Sequence, residues 1–229
     1  MTKIKYLGHS CILLESEDGS VIIDPFLSGN PQTKVVPEDI KVDAVLVTHG
    51  HMDHVGDSIE IVKNNNCALI VIDELGKAFQ SVDDSLNIVP LSIGGERSFS
   101  WGKVKMTVAF HGTDVEFVTP MKSAPPTGFI IEMGGKTLYH CGDTGVFNDM
   151  SLIGELNDID VTALPIGGNF TMDIKDSVVA AKMIKSKKYM PIHFNTFDII
   201  SQNVDDWVDE MKKNNLDTVV LENEESYTI

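Results

Sequence analysis

"VTHGHMDHVGD", residues 47–57, gathers His49, His51, Asp53 and His54 directly after the apolar run "DAVLVT" (43–48). Titratable side chains packed this closely repel one another and desolvate poorly, so they need water or a bound cation. Gly50 and the helix start that follows discourage continuous helix through His49 and His51. On extended chain, residues two apart point the same way, so two imidazoles can share one metal ion. Asp53 and His54 come after a turn and can aim at a second point nearby. The design differs from His-Glu-x-x-His, whose ligands share one helix face.

The other histidines repeat the theme. His9 follows "KIKYLG", His111 follows "VKMTVAF", His140 lies in "LYHCGDTG" and His193 in "MPIHF". All seven histidines thus fall at or near the ends of apolar runs, where the loops of a layered fold collect a site. Asp143, flanked by turn glycines in "GDTG", is a further carboxylate directly after a strand.

Short β-branched runs predict strands, several of them apolar on both faces and therefore buried. Helices are predicted over 56–66, over 176–188 with an apolar face of Val178, Val179, Ala181, Met183 and Ile184, and over 204–214 with Trp207, Val208 and Met211 on one side. The N-terminal stretch and residues 104–141 read as antiparallel hairpins, the latter turned at Gly134 and Gly135. Strand and helix alternate over 43–90 and again over 160–220. Hairpins beside β-α-β units at two places predict two sheets packed face to face with helices outside. One domain over 1–229 is expected.

Composition narrows the function. With 42% hydrophobic and 23% charged residues, the 229-residue chain is an ordinary globular one. No run approaches the ~20 apolar residues that span a bilayer, and the N-terminus does not read as a signal peptide. Cys11, Cys67 and Cys141 are odd in number and widely spaced, which fits a reducing cytoplasm rather than a disulfide framework. Without a C-x-x-C pair there is no thiolate zinc site. The net charge of −16, from 34 acidic and 18 basic residues, disfavours nucleic acid and anionic membranes as partners.

Taken together, "THGHMDH", His111, "HCGDTG" and "PIHF" resemble the metallo-β-lactamase superfamily over essentially the whole chain. "LGHSCILLE", "DPFLSGNP", "LPIGGNFTM" and "MPIHFNTF" look closer to its metal-dependent hydrolases related to the ascorbate-6-phosphate lactonases. The resemblance implies an α/β fold, a four-layer αββα sandwich of two mixed sheets with a dinuclear site at one edge. It implies that His49, His51 and His111 hold one metal, that Asp53, His54 and His193 hold the other, and that Asp143 bridges them. Asp24, in "IIDP", would orient a ligand histidine from behind, fixing its tautomer. His9 and His140 would support the site without ligating. Asp173 stands where this branch usually has glycine, and Cys141 where a small residue is expected.

The chemistry then expected is hydrolysis of an ester, lactone or phosphoester bond in a small molecule. Two divalent ions, Zn²⁺ first and Mn²⁺, Ni²⁺ or Fe as alternatives, would share a bridging hydroxide, with Asp53 as the catalytic proton relay. A diiron redox role is disfavoured by His51, because such reductases usually carry glutamate there and a flavin domain. A tRNase Z-like nuclease and a non-catalytic metal-bound scaffold are the remaining alternatives, and homo-oligomerisation stays open. Loops 27–39 and 113–127, with Lys34, Lys122 and Ser123, are expected to border the site.

Overall fold

The computed structural model describes residues 1–229. In chain order the strands of the first half are β1 (Lys3–Tyr6), β2 (Ile12–Ser16), β3 (Gly19–Ile23), β4 (Ala44–Leu46), β5 (Ala68–Ile72), β6 (Ile88–Leu91), β7 (Glu96–Phe99) and β8 (Gly102–Val108). Those of the second half are β9 (Asp114–Val115), β10 (Lys122–Ser123), β11 (Thr127–Met133), β12 (Lys136–His140), β13 (Val161–Pro165), β14 (Lys188–Ile192) and β15 (Ser226–Thr228). The helices are α1 (Met52–Val55), α2 (Ser58–Asn65), α3 (Asp73–Val82), α4 (Met150–Leu156), α5 (Ile174–Ile184) and α6 (Val204–Lys213).

Two mixed sheets stack face to face. The first runs β15-β1-β2-β3-β4-β5-β6, antiparallel through β3 and parallel from β3 to β6. The second runs β14-β13-β12-β11-β8-β7, parallel over β12 to β14 and antiparallel beyond. The layering follows from side-chain alternation. On β11, Phe129, Ile131 and Met133 face the inter-sheet core, while Ile130 joins the outer core under α4, α5 and α6. On β12, Leu138 faces inward, and Tyr139, with Cys141 just past the strand end, faces the helices. A period of two that is apolar on both faces is what a strand between two packed layers requires. The result is the α/β sandwich of two mixed sheets flanked by helices that the resemblance implied. No helix is long and apolar enough to cross a membrane.

The hairpin at Gly134 and Gly135 forms as expected: both residues take positive φ, 56° and 73°, and Met133 pairs with Lys136. A two-residue turn of that hand needs residues tolerant of left-handed backbone. Some elements differ from expectation. Residues 73–82, not expected as helix, form α3, because Leu75, Ala78 and Phe79 give the chain a buried stripe at helical spacing. On α5, Val179 is 48% exposed rather than part of the apolar face, whose buried members are Val178, Ala180, Ala181 and Ile184. Asp173 is the N-cap of α5, its carboxylate accepting from the Asp176 N–H at 2.9 Å. Cys141 is fully buried and unpaired, a filler against Tyr139.

Candidate metal centre

Strand ends from both sheets meet at one edge. The first sheet delivers His9 after β1, Asp24 after β3 and the 49–54 cluster after β4; the second delivers His111 after β8, Asp143 after β12 and His193 after β14. Three of these residues, His9, Asp24 and His193, have left-handed backbone, with φ of 55°, 48° and 54°. For non-glycine residues such conformations cost of order 1–3 kcal/mol and persist only where the surroundings hold them. The His193 N–H donates to the His9 carbonyl at 2.7 Å, which ties one sheet to the other at the site.

One group is made of imidazoles. His49 Nε2 lies 3.0 Å from His51 Nδ1, and His51 Nδ1 lies 3.2 Å from His111 Nε2. Asp24 sets the His49 tautomer from behind. Its carboxylate accepts from the Thr48 N–H and from the Thr48 hydroxyl, each at 2.8 Å. That hydroxyl, its one proton committed, can only accept from His49 Nδ1, 3.0 Å away. His49 therefore presents the lone pair of Nε2 to its neighbours. Ring nitrogens facing one another nose to nose make poor hydrogen bonds and a good cation site.

The second group joins His9, Asp53, His54 and His193, whose ligand atoms lie within 4.8 Å of one another. His54 Nδ1 bonds to Asp24 Oδ2 at 2.8 Å, so Asp24 also orients this ring and directs Nε2 forward. Asp143 stands between the groups: Oδ1 is 3.3 Å from His54 Nε2, and Oδ2 is 2.9 Å from His193 Nε2 and 3.5 Å from His111 Nε2. His9, expected as a support, faces the group directly, with Nε2 3.1 Å from Asp53 Oδ2 and Nδ1 2.8 Å from the Thr196 hydroxyl.

The electrostatics show a site short of positive charge. Burial works against a charged His54, yet Asp143, Asp24 and Asp53 outweigh it and lift its pKa well above the ordinary 6.5. Burial would raise Asp143, but His193 and His54 hold its carboxyl well below the usual range. Asp53 is likewise held low against burial, by His54 and by the bond from His9. Burial, reinforced by neighbouring His54, pushes His49 well below 6.5, and burial takes His9 down to about 4 despite its bond to Asp53. His54 Nε2, Asp143 Oδ1 and His193 Nδ1 are buried with no hydrogen-bond partner. Buried polar atoms without a well-formed partner are costly, and at this site they sit beside ring nitrogens and carboxylates, His54 Nε2 facing Asp143 Oδ1 at 3.3 Å. This donor set fits divalent cations.

His140 is placed differently. Its Nε2–H donates to the Ser10 carbonyl at 2.9 Å, and Nδ1 accepts from the Gly142 N–H at 3.1 Å, so both nitrogens are used by backbone. It braces the loop that presents Asp143. Gly142 in that loop has φ 63°, and a Cβ there would lie 2.3 Å from the Thr127 carbonyl oxygen, so only glycine fits.

A cleft of about 230 Å³ opens onto the two groups through His51, Asp53, His111, Asp143 and His193, with Glu116 and Phe170 completing its wall. Several participants escaped the sequence reading. Thr48 sits inside the quoted motif but reads as strand. Gln32, which accepts from the His9 N–H at 2.6 Å, lies in the loop expected to border the site. Glu116, from the other bordering loop, caps the Met52 N–H at 2.9 Å. Lys122 points elsewhere, donating to the Ser81 hydroxyl on α3 at 3.0 Å.

Two ligand groups sharing a carboxylate at the edge of an αββα sandwich are the active site of a dinuclear metal-dependent hydrolase, in the fold of the metallo-β-lactamase superfamily. Residues 3–193 match the family model described as the β-lactamase superfamily domain. A UPF0173 metal-dependent hydrolase from Bacillus thuringiensis is 46% identical, covering 99% of this chain and 100% of its own length. YtkL of Bacillus subtilis, of the same description, is 47% identical over 91% of this chain and 92% of its own. Among solved structures, the metallo hydrolase Igni18 from Ignicoccus hospitalis is 30% identical with a TM-score of 0.88, covering 100% of this chain and 99% of its own. The chain belongs to the metallo-β-lactamase superfamily, in its UPF0173 metal-dependent hydrolase branch.

Proposed function

We propose that this chain, a single domain over 1–229, hydrolyses an ester, lactone or phosphoester bond in a small molecule. His49, His51 and His111 would hold one divalent ion, and Asp53, His54 and His193 a second, with Asp143 shared. The observation that carries the reading is the convergence of ring nitrogens and carboxylate oxygens into two groups, with Asp143 between them 3.3 Å from His54 Nε2 and 2.9 Å from His193 Nε2. Imidazole and carboxylate donors without thiolate suit Zn²⁺, and also Mn²⁺, Ni²⁺ or Fe²⁺. Bound ions would supply Lewis acidity, lowering the pKa of water from 15.7 towards ~7 and polarising the oxygen under attack.

The chain's own residues do the rest. Asp24 and Thr48 fix the His54 and His49 rings so that each presents Nε2. Asp53, held ionised and 30% exposed at the cleft, accepts the proton of the attacking water at its carboxylate and returns it to the leaving group. His9, bonded to Asp53 Oδ2, keeps that carboxylate aimed.

Kinship in reaction with the ascorbate-6-phosphate lactonases belongs to the same proposal, supported by "LGHSC" and "HCGDTG" around His9 and Asp143. Three unpaired buried cysteines support a cytoplasmic setting. The charge of −16 weighs against a nuclease, and filter binding with tRNA at low salt checks that point: micromolar, salt-steep binding overturns it. Metal analysis of the purified protein and of His54→Ala tests the centre. Two equivalents should fall towards one, and two full equivalents in the variant would refute the ligand assignment.

A further inference from the structure

We infer that the substrate carries an apolar acyl or aryl group beside the scissile bond and no separate phosphate, an inference that rests on the hydrolase reading above. The first observation concerns aromatics. Three of the chain's phenylalanine, tyrosine and tryptophan side chains are exposed, and all three lie at the site: Phe110 (60%), Phe170 (55%) and Phe197 (42%). Phe170 lines the cleft. Phe197 stands edge-on to the His9 ring at 5.7 Å, and Phe110 adjoins His111 and packs on Phe147 at 5.0 Å. Exposed phenylalanine has a hydration cost that a folded chain normally avoids, and each of the three lies in the cleft or beside a histidine of the two groups, which marks apolar surface that is covered in use.

The second observation is the missing cation. None of the 18 lysines and arginines lines the cleft. Lys122 is engaged with Ser81, and Lys34 lies beside Glu224, which accepts its backbone N–H at 2.8 Å. Phosphate recognition away from the metals needs lysine, arginine or a cradle of N–H groups. The wall instead adds Glu116. Asp24, Asp53, Asp143 and Glu116 together match the charge of two divalent ions, so no surplus positive potential remains to draw in a phosphate dianion.

Size selects the occupant. A cleft of about 230 Å³ lies below the roughly 300–1,000 Å³ of drug-sized pockets, which suits one short acyl or aryl group rather than a protein segment.

The test uses the metal-loaded protein and two readouts. Turnover is measured on phenyl acetate, butyrate and hexanoate and on a sugar lactone with and without a phosphate. Equilibrium binding is measured for acetate, butyrate, hexanoate and 4-phenylbutyrate against glucose 6-phosphate. We expect kcat/KM and carboxylate affinity to rise two- to fourfold per added methylene, up to the full-burial value. Phe170→Ala and Phe197→Ala should flatten that slope, while Leu152→Ala, an exposed apolar change elsewhere, should leave it intact. A flat series, or preference for the phosphorylated lactone, overturns the inference. Loss of a dimer in the phenylalanine variants with a flat series does so too, assigning the surface to a second copy. Binding that follows chain length without turnover of any ester or lactone sinks the hydrolase reading and leaves the apolar subsite standing.

Discussion

Asp24 shows how much one side chain behind the metals can decide. It accepts from the Thr48 N–H, the Thr48 hydroxyl and His54 Nδ1, and so fixes two histidine rings at once. Asp24→Asn keeps the shape but turns an amide donor towards these donors. Metal affinity, read by competition with a chelator, should fall about 10–100-fold while the protein stays folded. His140 makes a different demand. Glutamine can both donate to the Ser10 carbonyl and accept from the Gly142 N–H, so His140→Gln should keep both ions. His140→Leu leaves two buried backbone groups unpaired, at about 1–3 kcal/mol each, and should lower the urea midpoint as well as metal content. Loss of a metal equivalent in the glutamine variant would make His140 a ligand after all. At this scale the sequence was legible wherever spacing carries meaning: His49, His51, Asp53 and His54 are read directly from strand and turn. The partners that place His9 were not, because Gln32 and Thr196 are brought to it from elsewhere along the chain.

At the scale of elements, α5 offers a clean test of what Asp173 contributes. Asp173 caps the helix through the Asp176 N–H. Asp173→Ala should cost about 1 kcal/mol of stability and Asp173→Gly only a few tenths, measured by denaturant unfolding, with metal content unchanged. A large effect of the glycine variant would show that Asp173 does more than cap. The strands were readable because their apolar runs are short and bounded by turn residues. α3 was hidden, since Ile72 and Asp73 continue the strand "CALIVID" without glycine or proline to end it, and the switch of period from two to 3.6 is visible only once Phe79 is known to be buried. Val179 misled for the reverse reason: composition cannot say that a small helix in a layered fold buries only a narrow stripe.

For the whole molecule, protons and metal ions compete for one charge deficit. Carboxylates keep His54 charged in the metal-free chain, so loading at neutral pH should release a proton, detectable by titration calorimetry in buffers of differing ionisation enthalpy. No release would mean that His54 is already neutral. The linkage signs are opposed. His54, raised above 6.5, stabilises the metal-free fold below its unfolded pKa, and that contribution fades as pH rises through the folded value. His140, lowered by burial, contributes stability above 6.5 that is lost as pH falls through its folded value. Ions at a hundred times their Kd should add about 2.7 kcal/mol per site, so a chelator should lower the Tm. The candidate centre also draws side chains from both sheets: His49 and His51 meet His111, and His54 meets Asp143 and His193. An ion seated there is a rivet through two plates. It leaves only when the plates part at that edge, so its residence time measures how often the sandwich breathes, and isotope exchange of the bound metal becomes a clock for that opening.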